Sequence, residues 1–121
     1  MNSHSVEKIG GTSMSDYAAV RDNIIFKPAH NDSLYQRVFV VSAYGGITDQ
    51  LLEHNKTGRP GAFALFANSV NDDSWKKMLL STKESMQSIN ESLFIKGDLL
   101  EKANIFIGER LDDAERCLTD L

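Results

Sequence analysis

The chain is poor in the residues that mark specialised protein classes. Its 121 residues include one cysteine, Cys117, which cannot close an internal disulfide. A reducing, cytoplasmic setting is therefore expected. Proline occurs twice and glycine eight times, without the repeat that collagen-like sequences need. No stretch approaches the roughly 18 consecutive apolar residues that cross a bilayer. The opening MNSHSVEKIGG also lacks the apolar core of a signal peptide, so no membrane partner is expected. Basic residues are outnumbered, 13 Lys and Arg against 17 Asp and Glu. The basic face of a duplex-DNA binder is missing, and no nucleic-acid partner is expected. An acidic total still leaves ATP open, because its phosphates need only a local group of donors. What is present suits one small domain with a real core: 41% hydrophobic and 25% charged residues.

The pattern changes near residue 57. Val6 to Ile9 reads as a short strand ending at Gly10-Gly11. From Asp16 the period becomes helical, with Tyr17, Val20 and Ile24 on one face and Ser15 or Asp16 as N-cap. Pro28 and Asn31-Asp32-Ser33 then break the chain. Arg37 to Ser42 holds the run Val38-Phe39-Val40-Val41, the pattern of a strand buried on both faces. It ends at Gly45-Gly46, and a short helix runs through Thr48, Leu51 and Leu52. Residues 1–56 thus read as a βαβα unit, which implies parallel strands and a right-handed crossover.

Residues 57–121 read as helical. Thr57 to Gly61 is a loop, Ala62 to Val70 a short helix, and Asn71 to Ser74 supplies caps. Trp75, Leu79, Thr82, Met86, Ile89 and Leu93 form one stripe. Leu100, Ala103, Ile107, Leu111, Ala114, Leu118 and Leu121 form another. Between them Gly97 ends one helix, and Asp98 with Glu101 is expected to cap the next. So short a break implies an antiparallel hairpin. The second stripe runs to Leu121 without a cap, so the chain is expected to be part of a longer protein.

Chemistry is concentrated in Glu7 to Asp16 (EKIGGTSMSD) and Val40 to Asp49 (VVSAYGGITD). Each places small and hydroxyl residues between a strand end and a helix start, where free backbone N–H groups and a helix dipole favour an anion. Glycine lets backbone approach a phosphate closely, and Lys8 brings a positive charge of the kind phosphoryl transfer uses. Neighbouring parallel strands would bring both turns to one sheet edge. Bland uses exist for every one of these residues: tight turns for the glycines, solvation for Lys8, caps for Ser42 and Thr48. Neither a Walker A pattern nor GxGxxG occurs.

In combination, Lys8-Ile9-Gly10-Gly11-Thr12-Ser13 resembles the KFGGTS signature of aspartate kinases, in the amino acid kinase superfamily. Val40 to Asp49 resembles their second signature, VVSAxxGxTD, in the family's order and near its spacing. The helical stretch after residue 60 resembles the ectoine-associated branch. The resemblance implies the start of a three-layer αβα sandwich followed by a helical hairpin. It also implies transfer of phosphate from ATP, with Mg²⁺, to the β-carboxylate of L-aspartate. In that reading Lys8 stabilises the transferring phosphoryl group, and Gly10, Gly11, Thr12 and Ser13 complete the ATP-phosphate loop. Ser42, Gly45, Gly46 and Thr48 line the aspartate site. The acceptor is already ionised at neutral pH, so no strong base is needed.

One departure stands out. The family's later Gly-Glu is followed three residues on by Ser, whereas Gly108-Glu109 here is followed by Asp112 and sits within a helical stripe. Glu109 is read as a solvated helix residue, with the true motif beyond Leu121. The chain alone is accordingly expected to be inactive. His4, His30 and His54 with Cys117 lack zinc spacing, so no metal site in the chain is expected. Met78, Met86 and Trp75 read as helix packing. A different acceptor within the superfamily remains open. So does a non-catalytic module that self-associates through the two stripes, and a homo-oligomer is expected.

Overall fold

In the computed structural model, residues 4–26, 35–68 and 72–121 are described. The expected break at Pro28 and Asn31 to Ser33, like Val70 and Asn71, lies outside them. The chain forms two compact units, Met1–Gly45 and Gly46–Leu121. They part inside the second glycine turn, whereas the change of sequence pattern falls near residue 57.

The first unit is α/β. β1 (Ser5–Ile9) and β2 (Arg37–Val41) pair in parallel, with Val6 opposite Val38, Lys8 opposite Val40 and Ile9 opposite Val41. Between them lie α1 (Gly11–Met14), α2 (Tyr17–Val20) and a π-helical turn over Arg21–Ile25. The single helix expected from Asp16 is therefore divided. Phe26 N–H reaches back to the Arg21 carbonyl at 2.8 Å, a five-residue step that widens the last turn. Asp16, rather than Ser15, is the N-cap of α2 and accepts from Ala19 N–H at 3.1 Å.

Side chains alternate across a strand. On one face Ile9 is buried, and Arg37 clamps the helical segment to the sheet. Its guanidinium is bidentate to Glu7 and donates to the Ile24 and Ile25 carbonyls, groups that a helix end leaves unpaired. The ring of Phe39 lies 4.7 Å beneath it. The Glu7 carboxylate holds the Arg37 pKa above its ordinary value through this hydrogen bonding. On the other face Val6, Val38 and Val40 are 70%, 49% and 48% exposed. The expectation of a strand buried on both faces is thus corrected. β2 has one strand neighbour among the described residues.

The second unit is helical: α3 (Ile47–Leu51), α4 (Ala62–Asn68), α5 (Ser74–Leu93) and α6 (Asp98–Thr119). Its core joins Ala62, Trp75, Leu79 and Leu111, flanked by Leu65, Met78 and Met86. Trp75 meets Phe66 edge to face at 5.4 Å. Burial of each large core side chain contributes about 2 kcal/mol. Thr82 fits this core because its hydroxyl donates to the Met78 carbonyl at 2.8 Å. Asn90 pairs with Asn104 and Lys83 with Asp112, so the helices run antiparallel, as the short break predicts. Gly97, not Asp98, is the N-cap of α6. Residues of the two stripes pack against each other in this core.

Candidate functional site

The parallel register brings both strand ends to one level. Ser42 N–H donates to the Ile9 carbonyl at 3.0 Å, extending the ladder by one step. Gly10 and Ser42 therefore leave the sheet side by side. Gly10 is extended at φ −74°, and a Cβ there would meet nothing within 4 Å. α1 starts at the next residue, so Gly11, Thr12 and Ser13 have N–H groups without intrahelical acceptors. Lys8 is exposed, and its side chain has no hydrogen-bond or ion-pair partner among the described residues.

The two turns are joined by a residue the sequence reading treated only as a cap. The Ser15 hydroxyl donates to the Gly11 carbonyl at 3.1 Å and accepts from Gly45 N–H at 3.0 Å. A Cβ on Gly45 would stand 2.8 Å from that oxygen, which explains glycine there. The available signal was the surplus of hydroxyls in GGTSMS beside a stronger cap, Asp16. The site residues found together are thus Gly10, Gly11, Ser42 and Gly45, with Thr12 and Ser13 on the helical turn. Those last two also border a cleft of about 420 Å³ with Asp16, Asn23 and Ile24. Lys8 does not line it.

Gly46 and Thr48 belong to the second unit. Gly46 takes φ +82°, a left-handed value that favours glycine, and is the N-cap of α3. Its carbonyl accepts from Gln50 N–H at 3.0 Å, and Thr48 is exposed in the first turn. Gly46 also borders a second cleft, of about 380 Å³, with Asp49, His54 and Arg59. There His54 Nδ1 accepts from Lys56 and Thr57 N–H at 3.2 Å. Its other nitrogen therefore faces Asp49, 3.7 Å away. Sequence reasoning did not single out this cleft. Glu109 is exposed, as expected, and Gly108 is buried, where an added Cβ would stand 3.4 Å from the Lys83 side chain. Among the described residues no group of three His, Cys, Asp or Glu is placed to hold a metal, and no helix is long and apolar enough to cross a membrane.

This is an α/β protein whose strand exits collect backbone donors and hydroxyls at one edge of a parallel pair. Over 118 residues, 98% of this chain, it is 47% identical to the protein named Aspartate kinase Ask_Ect from Stutzerimonas stutzeri (strain A1501). The chain spans 25% of that protein's length. No family model and no solved structure matches it. The chain is thus similar, over nearly its whole length, to one quarter of an aspartate kinase.

Proposed function

We propose that the protein carrying this chain phosphorylates the β-carboxylate of L-aspartate from ATP, giving 4-phospho-L-aspartate, as in the ectoine-associated branch. The observation that carries this reading is the pairing of two glycine turns at one sheet edge, within a chain similar to an aspartate kinase. Gly10 has neither a steric neighbour nor a positive φ to require glycine. An approaching phosphate supplies the missing reason, since a Cβ would stand in its way. The N–H groups of Gly11, Thr12 and Ser13 then receive phosphate oxygens, and the Lys8 ammonium faces the group in transfer. Ser42, Gly45, Gly46 and Thr48 are assigned to aspartate.

Mg²⁺ would supply positive charge to offset that of the phosphates. The chain offers no acidic cluster for it among the described residues, so ATP itself is its expected carrier. In the whole protein a three-layer sandwich would cover the exposed valines of β1 and β2. Lys8→Ala in the whole protein is expected to lower aspartate-dependent hydroxamate formation about 100- to 1,000-fold. Because Lys8 is exposed and unpartnered, its loss leaves the fold intact. Near-normal turnover would remove Lys8 from the chemistry.

A further inference from the structure

Two glycines of the first unit face each other. A Cβ on Gly11 would stand 3.2 Å from the Ala43 carbonyl oxygen and 3.7 Å from the Gly45 Cα. A Cβ on Gly45 would stand 3.5 Å from the Gly11 carbonyl oxygen. The two turns therefore approach backbone to backbone, and the Ser15 hydroxyl bonds them at the point of closest approach.

Half of that bonding is ordinary. Serine in or after a helical turn commonly bonds the carbonyl four residues back. Ser15 does so to Gly11, whose oxygen also accepts the Ser15 N–H at 3.2 Å. The bond from Gly45 N–H is not local, because it spans 30 residues. Nor is the hydroxyl needed as a cap, since Asp16 caps α2. A hydroxyl has one proton and two lone pairs. Its proton goes to Gly11 and a lone pair to Gly45, so one oxygen sets the spacing of both turns.

We infer that Ser15 is a positioning residue that couples the phosphate turn to the acceptor turn, so that ATP and aspartate each strengthen binding of the other. This rests on the reading of Gly11, Thr12 and Ser13 as phosphate donors and of Ser42 and Gly45 as part of the aspartate site. Phosphate on those three N–H groups fixes the single turn of α1, and with it the Gly11 carbonyl and Ser15. Ser15 then holds Gly45, so the acceptor turn is ordered before aspartate arrives. One ordering step serves two ligands, which gives positive cooperativity without a change of fold. By linkage the effect is equal in both directions. The Gly45 N–H, donated to Ser15, is not offered to substrate; Gly45 serves the site through its missing Cβ. In-line transfer depends on the spacing of phosphoryl group and carboxylate, and the Ser15 oxygen controls that spacing through the two backbones.

Titration calorimetry of the whole protein with the non-hydrolysable analogue AMP-PNP and Mg²⁺, with and without saturating L-aspartate, tests it. Aspartate is expected to tighten AMP-PNP about fivefold. Ser15→Ala reduces that factor below about twofold, while Kd for AMP-PNP alone stays within about twofold of the parent. Ser15→Thr keeps the hydroxyl and restores the factor. Aspartate-dependent hydroxamate formation separates this inference from the kinase reading. A parent that forms no hydroxamate overturns both. A parent that forms it, yet shows no coupling or a coupling that Ser15→Ala leaves unchanged, overturns the role of Ser15 alone. So does an affinity lost equally with and without aspartate, or a Ser15→Thr variant that behaves like Ser15→Ala.

Discussion

In residues 46–121 the apolar stripes meet, and Trp75, Leu79 and Leu111 are each under a tenth exposed. In residues 1–45 the strand residues Val6, Val38 and Val40 stay about half or more exposed, and polar groups tie the unit together instead. There the Arg37 guanidinium secures the helical segment to the sheet, and the Ser15 hydroxyl secures one glycine turn to the other. Stability and chemistry are thus unequally shared. The helical unit closes a core of its own. The sheet unit holds the residues assigned to phosphate, with less apolar burial to hold them.

Breaking the core should therefore have the larger effect. Leu79→Ala leaves a cavity beside Trp75 and Leu111 and is expected to cost about 3 kcal/mol in urea unfolding followed by helical circular dichroism. A loss under about 1 kcal/mol would show that the hairpin is not closed as described. Ser15→Ala is the smaller and more local change, expected to cost about 1 kcal/mol. Its signature is faster exchange of the Gly45 amide, with the α5 and α6 amides unchanged. Equal acceleration everywhere would mean that Ser15 supports the whole chain rather than one pair of turns.

Local signals made much of this readable in advance. Both strands, the glycine turns, the two long helices and the packing role of Trp75, Met78 and Met86 follow from period and punctuation within short windows. Ser15 and Arg37 were not readable because their partners lie 30 residues away. The division of the helix after Asp16 depends on the same clamp, since Arg37 takes the carbonyls that the widened turn presents. The exposed faces of β1 and β2 escaped because four apolar residues in a row report an affinity for burial, not the presence of a cover. Of the candidate site, the positions of the turns were legible and the hydroxyl joining them was not.

Native-state hydrogen exchange on the 121-residue chain tests the unequal division most directly, since it reads the opening free energy of each segment. Amides of Leu79, Thr82 and Leu111 should exchange only through global unfolding. Those of Val38 to Val41 and of the Gly11–Met14 turn should exchange through openings of clearly lower free energy. Equal protection in the strands and the hairpin would contradict the account.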